Sequence, residues 1–168
     1  MHISDLHLDD RTEPGYLEKI VRLVNEQEPD LIAFTGDFVT FTPKRFVPAL
    51  VATLSRLEAR DGVFAVLGNH DHLTGPEVIS RAIRERGATE LRNEVRTMKR
   101  AGYPLHVCGG TMFGRGTLVW TTCSPACPGL ARPSCWSTSR TLQIRFRRAD
   151  ALICNSRATL MAARYGFL

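Results

Sequence analysis

Three short clusters of polar residues each follow an apolar stretch of the chain, and their side chains are of the kinds that bind metal ions. The clusters are Asp5-Leu6-His7, Gly36-Asp37 and Gly68-Asn69-His70-Asp71. Carboxylate, imidazole and amide groups together suit divalent ions such as manganese, iron or zinc. Two such ions side by side can clamp a phosphoryl group and lower the pKa of a bridging water until it becomes a hydroxide nucleophile. The clusters therefore predict metal-assisted hydrolysis of a phosphoester.

The residue types suggest a role for each candidate ligand. Asp5 and His7 lie two positions apart, so on an extended chain they would project from the same side and hold one cation. Asp37 has two carboxylate oxygens with which to bridge two cations, and Asn69 offers its amide oxygen to the second cation. His70 would then lie close enough to protonate the leaving oxygen.

Each cluster also has an ordinary structural interpretation. The D-x-H pattern is common, Gly-Asp after a strand is usually a turn, and Asn-His-Asp after a glycine can cap a helix. What favours the functional interpretation is that all three occur in this order, each at the end of an apolar run.

The elements that must position these clusters alternate between strand and helix. Apolar residues at helical spacing predict three helices, over Gly15–Gln27, Phe46–Leu57 and Pro76–Arg86. Wholly apolar runs predict buried strands at Leu31–Phe34 and Val63–Leu67, and weaker strand signals follow at Glu94–Met98 and Leu105–Cys108. The alternation predicts an α/β fold with a largely parallel central sheet, whose strand ends would bring the clusters to one crevice.

The segments S-D-L-H-L, F-T-G-D and L-G-N-H-D resemble the first three signature motifs of the calcineurin-like metallophosphoesterases, most closely those of the bacterial phosphodiesterase branch. The similarity covers residues 1 to about 109. It implies central β-sheets flanked by helices, two divalent metal ions, and a phosphate mono- or diester as substrate. By this resemblance Asp5, His7 and Asp37 ligate the first metal, Asp37 and Asn69 ligate the second, and His70 is the catalytic histidine.

The chain departs from the family pattern towards both of its ends. Only Met1 to Ser4 precede the D-x-H motif, where the family has a complete strand, so we expect the true start to lie upstream. The family also takes metal-binding histidines from an H-E-P-like motif and a G-H-[ST]-H-G-G motif, yet no histidine follows His106. The expected domain is therefore a partial one over residues 1–110, with an incomplete sheet that leaves Leu31–Phe34 and Val63–Leu67 partly uncovered.

Residues 111–168 differ in composition from the rest of the chain. They hold eight arginines against one acidic residue, Asp150, together with four of the five cysteines. No C-x-x-C pair occurs among these cysteines, so a structural zinc site is not expected. Short strands at Thr117–Trp120 and Leu142–Phe146 and a helical turn at Ala158–Ala163 are the only elements suggested, and we expect a poorly structured tail.

A shift in the reading frame near Gly110 accounts for this composition. In one shifted phase, codons compatible with Thr111–Gly116 can encode D-V-W-E-G, those for Ser137–Ile144 can encode H-E-P-D-F-A-D, and those for Arg157–Arg164 can encode G-H-S-H-G-G-Q. The second and third of these match the absent family motifs in the family's order. We therefore expect residues 111–168 to be an out-of-frame tail without a domain of its own, and phosphoesterase activity to be impaired in this chain.

Two other interpretations stay open. The first is a non-catalytic fragment or module that binds nucleic acid through the arginine-rich tail. If the tail arises from a shifted reading frame, however, we expect no specific nucleic-acid partner. A natural one-metal phosphoesterase with an unusual tail is the second. No apolar run approaches the about 18 residues of a membrane span, so the chain as written predicts a cytoplasmic protein, membrane-associated only if an upstream anchor is missing.

Overall fold

The computed structural model describes residues 1–85, 87–100 and 103–110, and the strand segments 112–113, 117–118 and 142–146. For residues 103 and 104 and for those three segments it describes the backbone alone. The predicted helical turn at 158–163 and the regions of the three shifted motifs, apart from their strand residues, lie outside the described residues.

Four parallel strands form the central sheet, in the order β1-β2-β3-β4. They are β1 (His2–Ile3), β2 (Ile32–Phe34), β3 (Val63–Ala65) and β4 (Thr89–Glu90). The register pairs Ala33 with His2 on one side and with Phe64 on the other, and Phe64 pairs in turn with Thr89. The predicted α/β fold with a parallel central sheet is thus confirmed.

Four helices connect or follow these strands. They are α1 (Tyr16–Asn25), α2 (Pro43–Leu54), α3 (Asn69–Thr74) and α4 (Pro76–Glu85). The three predicted helices are all present. Helix α2 begins at Pro43, three residues earlier than expected. Proline is well suited to the first position of a helix, because the N–H that it lacks would have no hydrogen-bond partner there. The short α3 was not predicted as an element, since six residues with one large apolar side chain show no periodicity.

A second, antiparallel sheet has the order β5-β6-β9. Its strands are β5 (Glu94–Arg100), β6 (Tyr103–Gly109) and β9 (Leu142–Phe146), and a separate pair consists of β7 (Met112–Phe113) and β8 (Thr117–Leu118). The strand predicted at 142–146 is therefore confirmed. None of the helices in the described part of the chain is both long enough and apolar enough to cross a membrane.

The parallel sheet separates two apolar cores. Ile32 and Phe34 point into the core formed with the helices, whereas Leu31 and Ala33 point into a second core. This division follows from the two-residue period of a strand, which sends successive side chains to opposite faces. The wholly apolar run at 31–34 thus reflects a strand that is covered on both sides.

The expectation that these strands would be partly uncovered was wrong. All residues of 31–34 and 63–67 are buried apart from Val63, which is half-buried. The face opposite the helices is covered from β6, which contributes Leu105 and Val107 to the second core. The hairpin of β5 and β6 therefore forms the second core together with the sheet. All residues of this hairpin precede the unusual tail.

Candidate metal centre

The first two clusters are held side by side by a continuation of the parallel backbone pairing beyond the strands. The N–H of His7 donates to the carbonyl of Asp37 at 2.9 Å, and the N–H of Leu8 donates to that of Phe38 at 3.0 Å. The N–H of Thr40 returns a bond to the carbonyl of Leu8 at 3.1 Å. The segments after β1 and β2 therefore run together along the carboxyl edge of the sheet, where the crevice was expected.

The side chains of these segments converge. Nε2 of His7 lies 3.4 Å from Oδ1 of Asp5 and 3.6 Å from Oδ2 of Asp37. One ligand atom from each of His7, Asp37 and His70 lies within 4.8 Å of the other two. Two donors bound to one ion at about 2.0–2.2 Å are separated by roughly 3–3.5 Å, so the closest spacings suit a shared cation. Asp5, His7, Asp37 and His70 are thus brought together as predicted.

The backbone achieves this convergence in a way that the sequence did not suggest. Asp5 has φ 58°, His7 has φ 47° and Asp37 has φ 55°, so all three are left-handed. The prediction that Asp5 and His7 would share one side of an extended chain was therefore wrong in its geometry, although the two side chains do meet. Non-glycine residues in this region cost of order 1 kcal/mol or more each, and such strain concentrates at functional sites.

Two glycines allow the second and third clusters to approach each other. A Cβ atom on Gly36 would overlap the backbone nitrogen of Gly68, and one on Gly68 would overlap Oδ1 of Asp37. The backbone of Gly68 occupies the space that a side chain on Gly36 would need. The close packing also lets the N–H of His70 donate to Oδ1 of Asp37 at 3.1 Å.

Asp71 connects the same two segments through hydrogen bonds from the backbone. Its carboxylate is fully buried and accepts from the N–H groups of Asp37 at 2.8 Å, Phe38 at 2.9 Å and Gly68 at 2.8 Å. Burial raises the pKa of Asp71 to about 6, the hydrogen bond from Gly68 opposes this rise, and the charge of Asp37 adds to it. The sequence indicated only a possible helix cap at Asp71. The carboxylate three residues after Gly68 was the signal that could have indicated this wider role.

The remaining ligand candidates are positioned by their local partners. Nδ1 of His7 is 3.1 Å from Oγ1 of Thr40, which orients the ring so that Nε2 faces the carboxylates. Asp37 is fully buried. Asn69 is the first residue of α3 and lies between Gly68 and His70, whose backbones both approach Asp37.

The other histidines of the chain lie outside this cluster. Nε2 of His2 is 2.9 Å from Oγ1 of Thr35, and Nδ1 of His106 is 2.9 Å from Oγ1 of Thr97. His72 lines a separate cavity of about 40 Å³, and burial lowers its pKa.

Comparison with known proteins agrees with the motifs and the geometry. The family model of the calcineurin-like phosphoesterases matches residues 1–117. The chain belongs to the calcineurin-like phosphoesterase family. Membership confirms the resemblance on which the ligand assignments rest.

Several metallophosphoesterases are similar to this member of the family. The uncharacterized metallophosphoesterase YkoQ of Bacillus subtilis is 34% identical over 65% of this chain and 41% of its own length. The UDP-2,3-diacylglucosamine pyrophosphatase LpxG of Chlamydia trachomatis is 39% identical over 60% of this chain and 30% of its own length. The phosphodiesterase YaeI of Escherichia coli is 32% identical over 56% of this chain and 36% of its own length.

The chain therefore spans well under half of the length of these relatives. No solved structure is significantly similar to it.

Proposed function

We propose that Asp5, His7, Asp37 and Asn69 are the ligands that this chain contributes to a site for two divalent metal ions, and that the complete site hydrolyses a phosphate mono- or diester. The activity is impaired in the chain as written, because the further histidines of the family motifs are absent from its sequence. The observation that carries the proposal is the position of Nε2 of His7, which lies 3.4 Å from Oδ1 of Asp5 and 3.6 Å from Oδ2 of Asp37. Family membership supports the same chemistry.

The donor set fits divalent cations of the manganese, iron or zinc type. Imidazole and carboxylate groups are shared by the sites of these metals. Asp37 is fully buried, and a cation beside it would balance the charge of its carboxylate. When bound, the ions would supply the charge that activates a water molecule and neutralises the phosphoryl oxygens.

His70 is proposed as the group that protonates the leaving oxygen. Its ring meets that of His7 edge-on at a centroid distance of 4.9 Å, and one of its nitrogens lies within 4.8 Å of ligand atoms of His7 and Asp37. The same proximity would also allow His70 to act as a ligand. Replacement by alanine distinguishes the two roles. An acid is needed less when the leaving group is a good one such as nitrophenolate, whereas loss of a ligand lowers the amount of bound metal whatever the substrate.

Metal binding tests the proposal directly. Asp37→Asn removes the charge that both ions would share, so manganese affinity measured by calorimetry is expected to fall at least tenfold. The matched control is Asp10→Asn, which alters an acid that pairs with Arg45 and is about two-thirds exposed. Equal manganese binding by the wild type and Asp37→Asn would overturn the proposal.

A further inference from the structure

Thr40 lies outside the three sequence motifs, yet its side chain contacts one of the proposed ligands. Oγ1 of Thr40 is 3.1 Å from Nδ1 of His7. The other ring nitrogen of His7, Nε2, faces the carboxylates of Asp5 and Asp37. The imidazole therefore lies between a hydroxyl group on one side and the proposed position of the first cation on the other.

Backbone pairing fixes the place of Thr40 relative to His7. The N–H of Thr40 donates to the carbonyl of Leu8 at 3.1 Å, and the N–H of Leu8 donates to that of Phe38 at 3.0 Å. Leu8 and Val39, the immediate neighbours of His7 and Thr40, also pair with each other and are both buried. The contact between the two side chains is therefore set by the same pairing that brings the first two clusters together.

The chemistry of imidazole gives this contact a consequence for metal binding. A neutral imidazole carries its proton on one nitrogen, and only the other nitrogen has a lone pair for a cation. If Nε2 of His7 is to bind the first cation, Nδ1 must carry the proton and needs an acceptor. The hydroxyl oxygen of Thr40 is at the right distance to accept it.

We propose that Thr40 is a positioning residue of the metal centre, whose hydroxyl accepts the Nδ1 proton of His7 and so holds Nε2 as the donor to the first cation. This inference rests on the proposed function, because the orientation of His7 affects metal binding only if His7 is a ligand. A hydrogen-bond acceptor behind a ligating histidine fixes its tautomer, restricts rotation of its ring and makes it a stronger donor.

Two substitutions at this position separate the hydroxyl group from the shape of the side chain. Thr40→Val keeps the shape and removes the hydroxyl, so manganese affinity measured by calorimetry is expected to fall about tenfold or more. Thr40→Ser loses a methyl group but keeps the hydroxyl, so it is expected to bind manganese about as tightly as the wild type. An effect of packing alone would give the reverse order, with the greater loss in Thr40→Ser.

Thr53→Val is the matched control. Thr53 is buried, and its hydroxyl donates to the carbonyl of Ala49 within α2 at 2.8 Å. The same chemical change there removes a hydrogen bond of the helix and none of the metal centre, so manganese affinity should be unchanged.

Nuclear magnetic resonance of the zinc-loaded chain observes the ring of His7 directly. The wild type and Thr40→Ser are expected to show a hydrogen-bonded Nδ1 proton of His7 at low field. In Thr40→Val this proton loses its acceptor and should exchange with water too quickly to be seen.

The outcomes separate this proposal from the one on which it rests. Equal manganese affinity in the wild type and Thr40→Val would overturn the role of Thr40 and leave the metal centre intact. So would an equal loss in Thr40→Val and Thr40→Ser, a comparable loss in Thr53→Val, or an Nδ1 proton that persists in Thr40→Val. Failure of the wild type to bind manganese would overturn both proposals.

Discussion

At the scale of single residues, the candidate metal centre depends on positions where the backbone is left-handed or where a side chain cannot fit. Asp5, His7 and Asp37 have positive φ, and their conformations are held by the pairing between the segments after β1 and β2. Gly68 has an ordinary φ of −91°, which any residue can adopt. Glycine is needed at this position because there is no space for a side chain. Space and backbone conformation can therefore be tested separately.

Gly68→Ala is expected to destabilise the chain by about 3 kcal/mol or more and to abolish manganese binding, because the new Cβ would overlap the Asp37 carboxylate. Gly15→Ala provides the contrast. Gly15 has φ 82° and nothing within 4 Å of an added Cβ, so the expected cost is only about 1–2 kcal/mol, with metal binding unchanged. Urea denaturation and manganese titration measure the two effects, and equal behaviour of the two variants would refute the steric argument.

Asp71→Asn is expected to weaken manganese binding by about 10- to 100-fold without removing any proposed ligand. Each Asp71 oxygen accepts at least one backbone N–H from the neighbouring segments, and an amide NH₂ in place of either oxygen would face those donors. The separation of Asp37 and Gly68 would then change. Calorimetric titration of the variant beside Asp10→Asn measures the effect, and unchanged affinity would show that Asp71 does not position the site.

At the scale of elements, the sheet is built so that its two faces have different partners. Residues of β2 and β3 alternate between the core under the helices and the core under the β5–β6 hairpin. The hairpin is thus part of the core of the domain, and the metal centre at the carboxyl edge belongs to the loops that leave the same strands. Packing under the hairpin and ligand geometry at the edge are expected to respond to different substitutions.

Leu105→Ala is expected to destabilise the folded chain by about 2–5 kcal/mol, since the side chain is 3% exposed in the second core. Leu23→Ala, at an exposed position, should cost less than about 0.5 kcal/mol. Urea denaturation compares the two. A small cost at Leu105 would mean that the hairpin does not cover the sheet in solution.

At the scale of the whole molecule, the proposed shift of frame has a consequence for metal stoichiometry. We infer that residues 111–168 replace the family motifs that would supply further histidines. Asp5, His7 and Asp37 would remain for the first ion, but only Asp37 and Asn69 for the second. The net charge of +5 then stems from the arginine-rich tail and does not indicate a nucleic-acid partner. The alternating sequence Leu142–Phe146 suits a strand in either case, so the pairing of β9 with β6 is compatible with this origin.

The chain as written is expected to bind close to one manganese ion and to hydrolyse bis(4-nitrophenyl) phosphate slowly or not at all. A version with the restored reading frame should bind two ions and hydrolyse the ester, with turnover abolished by Asp37→Asn. Metal analysis and nitrophenolate release measure these properties. Robust turnover by the chain as written, abolished by the same substitution, would support the phosphoesterase function and refute the shifted frame.

The sequence by itself determined the family, the alternation of elements and the identity of the candidate ligands, because apolar periodicity and short motifs depend on neighbouring residues. It indicated which residues follow β1, β2 and β3, and the topology of a parallel sheet then required them to meet at one edge. Its geometric prediction for Asp5 and His7 failed, since the left-handed backbone there is imposed by pairing with a segment about 30 residues away.

Only the tertiary structure revealed the role of Asp71, the close approach of Gly36 and Gly68, and the cover that β6 provides for the sheet. Each of these is a contact between segments distant in the sequence, so no local pattern could specify it. The sequence specifies which types of residue are available to a site. The distances between their side chains, and the exposure of those side chains, are determined by how the strands and helices pack.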